Sequence, residues 1–167
     1  ARRKWWEGKH EVVMRLDVPL YERAGNKSYT TEELLENPNR VYLGNGWANT
    51  MRYRYRWQGD VAYGLTLQKD AGEPFGTHNT YPYDYVSAHL HYRSRSRRWE
   101  VWGGDYRVRM GQGLLLSDVW VSSHAVMVEQ LPRSEMRGRR HTGTNETDYF
   151  RGAEMRWSKG CWQLMVF

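Results

Sequence analysis

One cysteine, three phenylalanines, no long apolar run and no block of one charge sign set the first limits on this 167-residue chain. A lone Cys161 excludes an internal disulfide and any multi-cysteine zinc or redox motif. Without about 18 consecutive apolar residues there is no transmembrane helix, although strands that cross a membrane need no such run. The 25 basic residues are interspersed with 19 acidic ones. The net charge of +6 therefore suits an anionic partner without specifying a nucleic-acid tail. No signal peptide precedes Ala1-Arg2-Arg3, and the end from Cys161 to Phe167 reads as a strand cut short, which together predict a processed product or a fragment.

What is present in excess is amphipathic aromatic surface. Nine tryptophans and twelve tyrosines accompany a mean hydropathy of −0.88. Both rings prefer a boundary between apolar and polar surroundings, so the composition predicts much interface and little dry interior.

Period-two alternation recurs along the chain and is the primary strand signal. In Met51-Arg-Tyr-Arg-Tyr-Arg-Trp-Gln58, a strand places Arg52, Arg54 and Arg56 on one face and Met51, Tyr53, Tyr55 and Trp57 on the other. From 12 to 20, Val12, Met14, Leu16, Val18 and Leu20 oppose Val13, Arg15, Asp17 and Pro19. After a tight turn at Gly59-Asp60, Val61, Tyr63, Leu65 and Leu67 oppose Ala62, Gly64, Thr66 and Gln68. From Tyr85 to Arg93, Val86, Ala88, Leu90 and Tyr92 oppose Tyr85, Ser87, His89, His91 and Arg93. Between Trp99 and Met110 the apolar parity changes, and a β-bulge at Gly103-Gly104 would reconcile the two halves. A final hairpin runs from Tyr149 to Trp157 and returns through Trp162, Leu164 and Val166. Residues 111–148 alternate poorly, with a strand predicted only over Val119 to Leu131.

The connections alternate strictly in length. Long ones (Tyr21 to Gly46, with a helical turn over Thr31 to Glu36; Asp70 to Asp84; Gly111 to Asp148) separate short ones (Gln58 to Asp60, Arg93 to Arg98, Ser158 to Gly160). Short turns on one side and long loops on the other characterise bacterial outer-membrane barrels, and strands of about nine to eleven residues match a tilted crossing. An arginine facing lipid near the midplane costs roughly 2–4 kcal/mol. The arginine row must then face a wet interior.

The segment Gly104-Asp-Tyr-Arg-Val-Arg-Met-Gly-Gln-Gly-Leu114, with Leu67-Gln-Lys-Asp-Ala-Gly-Glu-Pro-Phe75, Tyr83 to Leu90 and Phe150-Arg-Gly-Ala153 in order, resembles the β-barrel region of large Bacteroidota outer-membrane proteins. Those proteins carry helix-hairpin-helix domains before the barrel. The resemblance implies a barrel with many more strands than the seven or so countable here. Nucleic acid enters as a partner only through that resemblance, since the helix-hairpin-helix part is not in this sequence. No catalytic residue is carried over.

Other candidates have plainer readings. His89 and His91 project to one face and could share a metal, but no third ligand is spaced for it. The glycines at 104, 111 and 113 lack the Gly-Lys-Ser/Thr of a phosphate loop. Ser117, Ser122, Ser123 and His124, or Asp105 with Glu154, would be needed for a hydrolase, yet no nucleophile motif surrounds them. Arg137-Gly-Arg-Arg-His141 reads as a solvated loop with an option on an anionic partner such as a lipopolysaccharide phosphate or nucleic acid. The row Arg52, Arg54 and Arg56 reads either as an anion-selective wall or as a network paired with Asp17, Glu100 and Glu154.

The sequence thus predicts an all-β chain: an antiparallel up-and-down transmembrane β-barrel in the bacterial outer membrane, a single segment of a larger wall. A polar lumen row of Arg52, Arg54, Arg56, His89, His91, Arg107, Arg109, Glu154 and Arg156 is expected. Tyr53, Tyr55, Trp57, Tyr63, Leu65, Leu90, Tyr106, Val108, Trp162 and Leu164 are expected against lipid. The expected role is a conduit, transport or assembly scaffold, not an enzyme. No cofactor, metal or small-molecule substrate is indicated, and the partners are membrane lipid and other outer-membrane or periplasmic proteins. The alternatives are a soluble β-rich module binding nucleic acid or carbohydrate, and a barrel-embedded hydrolase.

Overall fold

The computed structural model describes residues 7–76, 82–110, 116 and 136–167. Among them are eight strands: β1 (Lys9–Asp17), β2 (Ala48–Trp57), β3 (Val61–Lys69), β4 (Tyr85–Arg93), β5 (Trp99–Arg109), β6 (Arg137–Arg140), β7 (Phe150–Lys159) and β8 (Trp162–Val166). One helix of six residues, α1 (Thr31–Glu36), completes the regular structure with two short 3₁₀ turns. The protein is all-β. Its strands form one antiparallel sheet in the order β1-β2-β3-β4-β5-β7-β8, with β6 paired to β5, and the sheet is open. Sequential neighbours thus pair from β1 to β5 and again from β7 to β8, while β5 pairs with both β6 and β7.

Turn chemistry sets this order. Between β2 and β3, Gln58 and Gly59 both have positive φ, and the Asp60 N–H donates to the Trp57 carbonyl at 3.0 Å. Two left-handed central residues match the twist of paired strands, so the chain reverses without splaying them. Between β7 and β8, Lys159 pairs with Trp162 across Gly160-Cys161, with Gly160 at φ 60°. The helix α1 begins with a capping box in which the Thr30 N–H donates to the Glu33 carboxylate at 3.0 Å.

The chain divides into two compact units, one of residues 1–10, 54–64 and 87–167 and the other of 11–53 and 65–86. The tight turns β2–β3, β4–β5 and β7–β8 all belong to the first unit. The long connections β1–β2 and β3–β4 both belong to the second, where they bind each other. There the Gly44 N–H donates to the Gly72 carbonyl and the Gly72 N–H to the Asn45 carbonyl, each at 2.9 Å. The Lys69 ammonium is enclosed by the same loops, donating to Asn45 Oδ1 at 3.0 Å and to the Trp47 carbonyl at 2.8 Å.

In the first unit, β5 is the hub. It pairs with β7 from Trp99↔Trp157 to Tyr106↔Phe150 without a slip, and with β4 from Arg93↔Glu100 to His89↔Gly104. At the end of that second ladder Gly104 has φ 80°, and the consecutive residues Asp105 and Tyr106 beyond it are both buried. A left-handed glycine followed by two enclosed side chains is what a bulge produces, and it lies where the parity of the sequence breaks.

One boundary and one element differ from the sequence expectation. β1 spans Lys9–Asp17 rather than 12–20, because Pro19 cannot donate to a ladder. The Arg137–Arg140 segment, expected as a solvated loop, is strand β6, paired from Tyr106↔Arg140 to Arg109↔Arg137. The strand expected over Val119 to Leu131 lies outside the described residues, as do Ser117, Ser122, Ser123 and His124.

Gly104 gives a direct test of the bulge. A Cβ there would collide with the Ala88 carbonyl and would also be strained by the positive φ, whereas one on Gly103 would meet only Leu90 Cβ at 3.9 Å. Left-handed strain alone costs of order 1–3 kcal/mol. Gly104→Ala should therefore destabilise by at least about 2 kcal/mol in urea unfolding followed by tryptophan fluorescence, while Gly103→Ala should stay within about 1 kcal/mol of the parent.

The β3–β4 loop should respond to acid. Burial, with Asp84 and Asp70 nearby, raises the Glu73 carboxyl above its ordinary value, although the Asp70 N–H donates to it at 2.9 Å. A carboxyl whose folded pKa is raised favours the fold when protonated. Acidification from neutral pH through the ordinary carboxylate range should therefore improve the parent relative to Glu73→Gln, read as a converging difference in urea midpoints.

Candidate functional site

In the first unit, alternate side chains of a strand meet opposite environments. On β4, His89 and His91 are 5% and 8% exposed, while Leu90 between them is 48% exposed. The same alternation puts Ala62 and Gly64 of β3 inside and Tyr63 outside. On β8, Trp162, Leu164 and Val166 are all exposed. The second unit repeats it, with Thr66 and Tyr85 buried and Leu65 and Val86 exposed.

The polar face of the first unit encloses an open cavity of about 930 Å³. Seven cationic side chains and one carboxylate line it, among them Lys9 from β1, Arg56 from β2, Arg93 from β4, Arg156 from β7 and three arginines of β6. The carboxylate is Glu100. It is 4% exposed and accepts from Arg93 Nε on one side and Arg156 Nη2 on the other. These three residues are register partners, Arg93↔Glu100 on β4 and β5 and Glu100↔Arg156 on β5 and β7. They form one charged row across three neighbouring strands. Arg156 also donates to the Met136 carbonyl at 3.0 Å and lies 5.9 Å from the Trp102 ring centre. His91 packs against the same indole at 5.1 Å.

β6 enters this site as a strand of arginines interrupted by one glycine. A Cβ on Gly138 would collide with the Glu154 carboxylate, so that position admits no side chain as the two now sit. Glu154 is 1% exposed, and neither of its carboxylate oxygens accepts a hydrogen bond among the described residues. Arg140 and Arg54 are the cationic neighbours of His89.

Of the residues expected in a polar row, the cavity brings together Arg56, His91 and Arg156. His89 and Glu154 are buried beside it. Arg52, Arg54, Arg107 and Arg109 are partly exposed and do not line it. The pairing expected between the arginine row and Asp17 and Glu100 takes other partners. Arg15, two residues away on the same strand, holds Asp17 at 3.0 Å, and Arg93 and Arg156 hold Glu100, because register places them directly opposite. Asp105 does not converge with Glu154. Arg151 clamps it with two bonds of 2.7 and 3.1 Å. Among the described residues, no group of three or more His, Cys, Asp or Glu is placed to hold a metal ion.

Of the side chains expected against lipid, Tyr63, Leu65, Leu90, Trp162 and Leu164 are exposed, and Tyr53 and Trp57 partly so. Three are enclosed instead. Tyr55 stacks on Tyr63 at 4.7 Å and is covered by His10 at 4.8 Å and by the Gly8 backbone. Tyr106 and Val108 join Trp102 in a small apolar cluster against which Met165 and Leu116 pack. Beside the cluster the Met110 N–H donates to the Leu116 carbonyl at 3.2 Å.

Sequence reasoning missed Lys9, Arg93, Arg137, Arg139 and Arg140 as members of one site. Parity on a single strand cannot show which strands share a cavity, although an Arg-Gly-Arg-Arg run was visible. No protein-family model, curated protein or solved structure matches this chain. The geometry of the site therefore carries the functional argument.

Removing Glu100 should disrupt all three strands. Breaking a buried ion pair by deleting one partner leaves uncompensated charge and costs roughly 3–5 kcal/mol. Glu100→Gln should lower stability by about 3 kcal/mol, toward the smaller end because Arg93 is partly exposed. Trp102 fluorescence should shift as Arg156 and His91 lose their positions. A loss below about 1 kcal/mol would mean that the two arginines are held by other groups.

Proposed function

We propose that this chain is part of the wall of an outer-membrane β-barrel, antiparallel and up-and-down, whose apolar face meets lipid and whose polar face lines an aqueous conduit. The observation that carries this reading is the inversion of the sheet. Its enclosed side chains include Thr66, Ser87, His89, His91, Glu100, Asp105 and Glu154, while Val12, Met14, Leu65, Leu90, Trp162 and Leu164 are exposed. In water that arrangement wastes apolar burial at about 25 cal/mol per Å², whereas in a bilayer it places each face in its favoured solvent.

Three further features support it. Strands of nine to eleven residues recur in β1 to β5 and β7, matching a tilted crossing. Tryptophan flanks each tight turn, as Trp57, Trp99 and Trp162, in the manner of an interfacial girdle. The likeness of residues 104–114 and 67–75 to the barrels of Bacteroidota outer-membrane proteins points the same way. On this reading further strands join the open edges β1 and β8, since an unpaired edge is not tolerated in hydrocarbon.

The competing idea of an aromatic and cationic strip for nucleic acid loses its geometric basis. A base must stack on a ring while arginine reaches its phosphate, but alternation sends Tyr55 and Arg56 to opposite faces. Tyr55 is moreover covered, at 3% exposure.

Single-cysteine labelling tests the membrane reading, with Cys161 replaced by serine. An environment-sensitive fluorophore at Leu90→Cys or Tyr63→Cys should be quenched by brominated lipid in reconstituted vesicles, and one at Ser87→Cys by aqueous iodide. A chain that stays monomeric and soluble without detergent, or labels that report the reverse faces, would sink it.

A further inference from the structure

We infer that the cavity of the first unit binds a compact multivalent anion of the phosphate class, a condensed phosphate in free solution. The first argument is charge. Seven cations and one carboxylate line the cavity; Arg93 and Arg156 share that carboxylate, Glu100, while Lys9, Arg137 and Arg140 make no ion pair among the described residues. No second carboxylate lines the cavity among the described residues. Like charges gathered on one concave wall repel, so the site is favoured by whatever anion spreads several charges over it.

The second argument is the type of cation. Six of the seven are arginines. A guanidinium presents a planar fork that matches phosphate oxygens with two parallel bonds, which an ammonium cannot do. Arg137, Arg139 and Arg140 sit on a strand paired to β5, and thus on a fixed backbone rather than a solvated loop. The cavity volume lies within the roughly 300–1,000 Å³ of sites that enclose small molecules.

The third argument selects among phosphate ligands. A nucleotide or single strand would need an open ring for its base. Trp102 lines the wall but is 4% exposed, with Arg156 and His91 packed against it. A lipid headgroup would need apolar surface continuing from the charges to hold acyl chains. The cavity offers only Val61, Ala62 and the covered Trp102, and the exposed apolar side chains Tyr63 and Leu90 alternate with cavity-side residues on their strands. A small, highly charged, ring-free anion is what remains.

This inference stands on the cavity itself and not on the membrane reading. A chain found soluble without detergent that still bound the anion would remove that reading and leave this one. The test is calorimetric titration of the full chain, in detergent where required, with sodium tripolyphosphate at low ionic strength and again in 0.5 M sodium chloride, on the order of a threefold shorter screening length. Saturable one-site binding that weakens steeply with salt is expected. Arg137→Gln with Arg140→Gln should weaken it at least tenfold, and the lysine pair Arg137→Lys with Arg140→Lys should fall between, keeping charge but losing the fork. Tryptophan fluorescence and melting report whether each variant is folded, and the lysine pair carries the test where the glutamine pair is not. Absence of saturable binding, equal affinity in the charge-neutralised variant, or tighter binding of oligothymidylate than of tripolyphosphate would overturn the inference. So would retention on anionic lipid vesicles without any tripolyphosphate binding.

Discussion

The sharing of Glu100 between Arg93 and Arg156 is the constraint on which the first unit depends. The three residues lie in register on β4, β5 and β7, so one buried carboxylate ties together the strands that form the polar wall. An isolated carboxylate in that position would be costly to desolvate, and two adjacent arginines without it would repel. Together they form a row with net positive charge that also fixes Trp102, through Arg156 over its ring. The cavity wall is therefore rigid where it is most charged. Its cations are held in place by a salt bridge rather than by an apolar core.

That substitution is intelligible from the poverty of conventional core. The buried apolar cluster consists of Trp102, Tyr106 and Val108 with a few partly buried neighbours. Elsewhere Tyr55, Ala62 and Tyr85 are enclosed beside a larger set of hydroxyls, imidazoles and charged groups. Among the described residues the strands form one sheet, so ladders, turns and charged rows take over much of the role of an apolar core. In the second unit the equivalent device is Lys69, whose ammonium binds Asn45 and Trp47 and draws the two long connections together. The first unit thus uses a carboxylate held between two cations, and the second a cation held among acceptors.

Strand periodicity made most of this architecture legible. The alternation from Tyr85 to Arg93 places Ser87, His89 and His91 together, and the parity change near Gly103 locates the left-handed Gly104. Two of the tight turns were legible because glycine, Gly59 and Gly160, occurs where positive φ is needed, whereas the β4–β5 turn places Arg97 there. The site was less so. Arg56 and Arg156 were expected on a polar row, but their convergence with Lys9 and β6 depends on which strands curve around one cavity, a property of pairing and not of local pattern. β6 itself is four residues long and mostly arginine, with none of the alternating apolar positions that mark a strand. It forms because β5 offers it a ladder, a tertiary effect that propensity cannot contain.

The enclosed Tyr55 and the exposed Leu90 separate two uses of aromatic and apolar residues that composition merges. Tyr55 is stacked between His10 and Tyr63 on neighbouring strands, so it stabilises pairing by cross-strand contact. Leu90 has no such cover and presents its side chain outward. An aromatic excess thus divides into rings that hold strands together and rings and aliphatics that meet the surroundings. Only the second group bears on which solvent the apolar face prefers. The arginines divide in the same way: Arg93, Arg151 and Arg156 hold buried carboxylates and are structural, whereas Arg137 and Arg140 of β6 bring charge into the cavity without an ion pair among the described residues. Any function of the polar face therefore falls first on β6, where added charge is least explained by folding.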